Sequence, residues 1–140
     1  MKFKLDISMD SDASDDHVQT VQKAFGEYFD IDAKRNILRR SVGGELPLFI
    51  AFTLNLVSAV TWDLIKLAAQ SFFAQLPARE ANRAAIDIYQ PGHRNVTIMN
   101  SHVIIVNFNS DQDFPEDEEY NSLDEAIAVI KKSDETLSDE

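Results

Sequence analysis

The alternation of apolar and polar residues near the N-terminus predicts a strand followed by a helix. Apolar side chains occupy every second position from Phe3 to Met9, which is the period of a strand with one buried face. A polar break follows, and Ser14 is placed to cap a helix that keeps helical spacing to about Phe29. Residues 31–42 mix apolar and basic positions, so a short strand and an extended connector both remain open.

The longest apolar stretch of the chain predicts a central helix. Pro47 suits the first turn of a helix, and no charged residue occurs from Leu46 to Trp62. On a helical projection, the few polar residues of this stretch scatter around the axis, whereas those that follow it cluster on one side. The pattern therefore predicts a helix over residues 47–75 whose first half is apolar all round. Such a helix must be covered on every side, either by a sheet and another helix of the same chain or in part by a second subunit.

The C-terminal half predicts an antiparallel meander and a last helix. Three runs rich in β-forming residues, at 86–89, 96–99 and 102–108, are separated by turn-forming residues. An acidic loop follows these runs. Residues 122–125 then have the spacing of a capping box, which predicts a helix that ends near Lys132.

Together these elements predict an α+β fold. An antiparallel sheet of three to five strands, including the C-terminal meander, would pack on the long apolar helix, with one helix near each end of the chain. The length of 140 residues fits one domain, which we place at residues 1–132. The acidic residues 133–140 are predicted to be a disordered tail.

The net charge of -11 is concentrated at one end of the chain. Residues 107–140 hold twelve acids and two bases, whereas residues 17–106 hold seven acids and nine bases. Phosphate backbones would be repelled by such an end, so direct nucleic-acid binding is not expected. A protein partner with a basic surface is expected instead, although a solvated acidic face is the competing interpretation. The predicted partner-binding residues are Asp111, Asp113, Glu116, Asp117, Glu118 and Glu119.

No metal or cofactor is predicted. The absence of cysteine excludes disulfides, thiolate metal sites and cysteine nucleophiles, and the three histidines lack the spacing of a zinc site. Residues Asn107 to Glu118 resemble the ligand spacing of an EF-hand, but Gln112 stands where the turn needs glycine. Whether this loop binds calcium is left open, with a solvated acidic loop as the alternative.

No catalytic residue is predicted either. Ser101 and His102 are adjacent, and on a strand they would face opposite sides of the sheet. Asp63 and Asp87 could meet between the helix and the sheet, but nothing in their spacing supports such a pair. The glycine content is too low for a phosphate-binding loop.

A cytoplasmic location is the default expectation. The N-terminus lacks the apolar segment of a signal peptide. As a helix, Leu46 to Trp62 would span about 25 Å, which is short of the ~30 Å hydrocarbon core, so membrane insertion is not expected.

The sequence therefore favours a non-enzymatic protein–protein interaction module. It would act as an inhibitor or immunity-type protein that occupies a basic partner surface, in the sharpest form by mimicking nucleic-acid charge. The first alternative is a self-associating scaffold and homo-oligomer built around the apolar helix. Its predicted contacts are Phe49, Phe52, Leu56 and Trp62. The second alternative is a small hydrolase with an unrecognised carboxylate site.

Overall fold

The described part of the chain folds into one mixed sheet with helices packed against it. The computed structural model describes residues 3–11, 13–37, 49–54, 59–91, 94–107 and 116–138. Within these ranges the strands are β1 (Phe3–Asp10), β2 (Phe29–Ile37), β3 (Phe49–Thr53), β4 (Ala85–Gln90), β5 (Arg94–Met99), β6 (Val103–Asn107) and β7 (Glu116–Tyr120). The helices are α1 (Asp15–Gly26), α2 (Ala59–Gln75), α3 (Ala78–Ala81) and α4 (Leu123–Ser138).

The strand order of the sheet is β2-β1-β3-β4-β5-β6-β7. Two pairs are parallel, β1 with β2 and β3 with β4, and each is joined by helix, as a parallel connection requires. The two β-α-β units meet where β1 runs antiparallel to β3. From β4 to β7 the strands form an antiparallel meander.

The predicted start signals of the first and last helices are confirmed. The side-chain oxygen of Ser14 accepts a hydrogen bond from the His17 backbone N–H at 3.1 Å. The Ser122 hydroxyl accepts one from the Glu125 backbone N–H at 3.2 Å. Each bond satisfies a backbone donor that the first turn of a helix leaves without a partner.

The core lies between the helices and one face of the sheet. Helix α2 packs against α1 on one side and α4 on the other. Aromatic rings join these layers: the Phe25 ring of α1 lies 5.9 Å from that of Phe52 on β3 and 6.3 Å from that of Phe72 on α2. Rings at these separations contribute attraction beyond the area they bury.

The α+β class is confirmed, but the predicted architecture is wrong. The sheet of the described residues has seven strands of mixed direction, not three to five antiparallel ones, and no long helix over residues 47–75 lies at its centre. Residues Phe49–Thr53 are strand β3, between β1 and β4, and the helix begins only at Ala59. Residues 47, 48 and 55–58 lie outside the described ranges.

The position of β3 in the sheet explains why its sequence resembled a helix. A central strand of a parallel pair has neighbours on both edges, and its residues need not alternate strictly between apolar and polar. Ile50 and Phe52 are buried, while Phe49 and Ala51 are half-buried on the other side. A short apolar run of this kind has no period that separates a buried strand from a buried helix.

Strand β2 settles a choice that the sequence left open, and strand β7 departs from the sequence prediction. The open choice over residues 31–42 is resolved as strand up to Ile37, because β2 pairs in parallel with β1. Residues Glu116–Tyr120 were expected in an acidic loop but pair with β6. Helix α4 continues past Lys132 to Ser138, into the segment that was expected to be a tail. Among the described residues, no helix has the length and apolar character needed to cross a bilayer.

Candidate functional site

The face of the sheet opposite the helices is a candidate binding surface. Strand side chains alternate, so apolar residues such as Ile88 join the core while their neighbours point the other way. We call the second set the open face. Its described members are Lys4, Asp6, Ser8, Asp30, Asp32, Lys34, Phe49, Ala51, Thr53, Asp87, Tyr89, Asn95, Thr97, Met99, Ile104, Val106 and Glu119.

A depression of about 740 Å³ lies on the open face over strands β1, β3 and β4. Small side chains form its floor, since Ser8 and Ala51 are directly paired across β1 and β3. Asp6, Asp87 and Tyr89 stand around it. The hydroxyl of Thr97 donates to the Asp87 carboxylate at 3.3 Å, which orients that carboxylate from the neighbouring strand.

Acids outnumber bases on the open face. The described acids are Asp6, Asp30, Asp32, Asp87 and Glu119, against Lys4 and Lys34. Half-exposed apolar side chains interrupt the charges, and Tyr89 is 47% exposed. On β6, Ile104 and Val106 are also half-buried rather than buried. The open face therefore combines negative charge with apolar area.

The helical layer has a different charge pattern. Several of its acids form ion pairs with cations of the same layer or of the strand beneath. The ion pairs are Lys66–Asp124 and Lys131–Asp63 between α2 and α4, and Arg35–Asp15 between β2 and α1. The Lys131 Nζ lies 2.9 Å from the Asp63 carboxylate. These ion pairs neutralise part of the charge on this side within the chain.

The structure divides the predicted acidic partner surface instead of keeping it together. Asp111 and Asp113 lie outside the described residues. The register pairs Glu116 and Asp117 of β7 with Asn107 and Val106 of β6. It places Glu119 opposite Ile104, on the open face, and Glu118 opposite Ile105, on the other side. Strand alternation therefore divides the described part of the acidic run between two faces. Glu119 is exposed and Glu118 is half-buried.

Glu118 lies in a cluster at the edge of the helical side. Burial raises the pKa of the Tyr120 phenol above its ordinary value of 10.0, and the nearby carboxylates of Glu118 and Glu125 raise it further. Both causes disfavour the phenolate, because burial removes water and the carboxylates repel a second negative charge. This phenol is therefore held in its neutral form.

The predicted self-association residues lie mostly inside the chain's own core. Trp62 is 0% exposed and Phe52 is buried, whereas Phe49 is half-buried on the open face. Leu56 lies outside the described residues. A side chain already buried by its own chain can meet a second copy only if the core opens. Self-association itself stays a prediction.

A second, smaller cavity of about 290 Å³ lies between the β5–β6 turn, α2 and the start of α4. It brings Ser101 and His102 together, with the Ser101 hydroxyl oxygen 3.1 Å from the His102 Nδ1. The expectation that they face opposite sides is wrong, because both precede β6 and lie in the turn. Nucleophilic catalysis needs the base to be oriented by a third group. Among the described side chains, only Ser101 hydrogen-bonds the His102 ring.

The structure does not bring together the other residues considered for catalysis or metal binding. Asp63 pairs with Lys131 on the helical side, whereas Asp87 lies on the open face, so the sheet separates the two carboxylates. Within the part of the chain that the structure describes, no group of three or more potential ligands is placed to hold a metal ion. The segment with EF-hand spacing begins at the last residue of β6 and ends within β7, and residues 108–115 lie outside the described ranges.

Sequence reasoning missed the open face as a site, although the signal was present. In β1 the charged residues Lys4 and Asp6 alternate with the apolar ones, and in β4 Asp87 and Tyr89 alternate with isoleucines. What the alternation could not supply is the strand order that brings β1 and β4 to either side of β3. Comparison of the chain with protein-family models, curated proteins and solved structures finds no significant match.

Proposed function

We propose that this protein is a non-enzymatic interaction module that binds a basic segment of a protein partner on the open face of its sheet. The observation that carries the proposal is the contrast between the two sides. Asp15, Asp63 and Asp124 on the helical side are paired with cations of the chain, while acids outnumber bases on the open face and lie among half-exposed apolar side chains. Complementary charge speeds encounter and selects the partner, and apolar contact supplies affinity.

The arrangement of the open face specifies the kind of segment that fits. Acids lie along the sheet at Asp6 on β1, Asp87 on β4 and Glu119 on β7. Tyr89, Ile104 and Val106 lie between them. A segment that crosses the strands with cationic residues at its ends and apolar residues in its middle would match this order. In its sharpest form, the protein covers a basic surface that would otherwise hold nucleic acid.

The test measures the direct binding of a fluorescently labelled peptide in which lysine or arginine flanks apolar residues. Fluorescence anisotropy reports the bound fraction. We expect binding at low salt that weakens steeply as salt rises, because the Debye length falls from ~10 Å at 0.1 M to ~3 Å at 1 M. An uncharged peptide of the same apolar residues is the control. Equal binding of the two peptides would refute the proposal.

The neighbouring residues Glu118 and Glu119 give a matched pair of variants. Both changes remove one charge from β7, but only Glu119 lies on the open face. We expect Glu119→Gln to weaken peptide binding by roughly threefold, a typical effect of one exposed charge, and Glu118→Gln to leave it nearly unchanged. Equal losses from the two variants would show that net charge, not the open face, governs binding.

A further inference from the structure

The two edge strands of the sheet differ in the way they could meet another strand. Strands β2 and β7 are the outermost of the described sheet. An edge strand presents unpaired backbone N–H and C=O groups, which can pair with another chain unless charge or shape prevents it. Four of the five residues of β7 are acidic, so two copies meeting there would repel each other. Strand β2 has nine residues, and its two acids are balanced by Lys34 and Arg35.

We propose that two copies of this chain associate through antiparallel pairing of their β2 strands, with the two-fold axis passing at Ala33. In that arrangement Asp32 of each copy lies opposite Lys34 of the other. Two opposite-charge pairs then form across the interface, related by symmetry as in any two-fold contact. Cross-strand pairs of this kind stabilise antiparallel strands, whereas like charges placed opposite each other destabilise them.

Charge selects this register among the alternatives. Each side chain must stay on its own face of the sheet when the two β2 strands pair. The two-fold axis must therefore pass at a residue of β2 and not between two residues, so alternative registers move the axis by whole residues. If the axis passes at Asp32, the Asp32 carboxylates of the two copies lie opposite each other and repel. If it passes at Lys34, the two Lys34 ammonium groups lie opposite each other and repel. Of these three centres, only the axis at Ala33 gives both charges an opposite partner.

The charged side chains of β2 are free to take part in such a contact. The Asp32 side chain is 54% exposed and that of Lys34 is 66% exposed. Within one copy their oxygen and nitrogen atoms lie 3.8 Å apart, a loose pair that can rearrange toward a second chain. Arg35 is engaged with Asp15 of α1, which keeps its charge on the helical side.

The contact would be short. The pairing of β1 with β2 shifts register beyond Lys34, which limits the regular part of the edge. A ladder from Ile31 to Arg35 in each copy has the usual length of a strand pair and would bury little area, so the dimer should be weak and concentration-dependent. The two sheets would continue edge to edge, which leaves the open face uncovered. The inference therefore does not depend on the proposed partner.

The experiment measures molecular mass by sedimentation over two decades of protein concentration, with charge variants at the two positions. We expect the unaltered chain to dimerise as concentration rises. Lys34→Asp alone, or Asp32→Lys alone, places like charges opposite each other and should weaken the dimer roughly tenfold or more. The exchange D32K with K34D restores opposite charges and should restore dimerisation.

Mixing the two single variants gives the sharpest result. Each repels itself, but a D32K copy and a K34D copy are complementary at both pairs, so heterodimers should form where neither variant dimerises alone. Arg79→Asp, an exposed cation on α3, is the control for the same change in net charge and should not alter association. A monomer at all concentrations would overturn the inference. A dimer that Lys34→Asp leaves intact would overturn it equally, because another surface would then form the contact.

Discussion

The two faces of the sheet differ in burial, and neighbouring residues of β4 show the difference. Ile88 is 0% exposed and joins the core under the helices, whereas Tyr89 is 47% exposed on the open face. Both belong to one strand and share the same backbone ladder with β3. Strand alternation therefore separates the buried residues that stabilise the fold from those exposed on the open face.

Charged side chains on the two faces also have different neighbours. On the helical side, ion pairs such as Lys131–Asp63 connect α2 to α4. On the open face, the Asp87 carboxylate accepts a hydrogen bond from a neutral hydroxyl, that of Thr97. A variant on one face should therefore change stability, and a variant on the other should change binding.

The largest expected effect is the difference between Ile88→Ala and Tyr89→Ala. Removing a fully buried isoleucine loses transfer free energy and leaves a cavity, so unfolding should become easier by about 2–5 kcal/mol. Truncating the half-exposed tyrosine should cost roughly 1 kcal/mol or less. Urea unfolding followed by circular dichroism measures both. Similar losses in the two variants would show that the open face is covered in solution.

A smaller effect is expected from the Lys131–Asp63 pair of the helical side. Its atoms are partly exposed, so a double-mutant cycle of Asp63→Asn and Lys131→Met should give a coupling of about 0.2–1 kcal/mol that shrinks with salt. Because Lys131 already neutralises Asp63, the Asp63→Asn variant should bind the cationic peptide as the unaltered chain does. Weakened peptide binding would show that the helical side contributes to recognition.

The smallest expected effect is a pH dependence from Tyr120. Its pKa is raised in the folded chain, first by burial and then by Glu118 and Glu125. The folded state therefore binds the phenol proton more tightly than the unfolded state does. Its contribution to stability is complete below the ordinary pKa of 10.0 and is lost as pH rises through the raised value.

Thermal unfolding of the unaltered chain and of Tyr120→Phe between about pH 9 and about pH 11 measures this contribution. The unaltered chain should lose more stability across that interval than the phenylalanine variant does. If the stability of the two chains changed with pH in parallel, Tyr120 would titrate alike in the folded and unfolded chains. The edge of the helical side would then be open to water.

The sequence predicted local elements well where a single signal governed them. The alternation from Phe3 to Met9 gave β1, and Ser14 and Ser122 marked the starts of α1 and α4. The meander from β4 to β6 was predicted from its turns. Each of these signals acts over a few residues, and tertiary contacts did not override them.

The errors arose where burial on two sides removed the periodic signal. Residues Phe49–Thr53 are apolar because they lie in the middle of a sheet, and a helix buried on all sides would have the same composition. The opposite error occurred at β7, whose acids suggested a loop, because an edge strand exposed to water tolerates charge that an inner strand does not.

The sequence by itself determined the α+β class, the helix starts, the meander and the excess of negative charge. Only the tertiary structure decided which acids share a surface, because this depends on strand order and on the face to which each position points. Asp6 and Asp87 stand around one depression since β3 lies between their strands, whereas the adjacent Glu118 and Glu119 lie on opposite sides of the sheet. Distance along the chain carries no information about either arrangement.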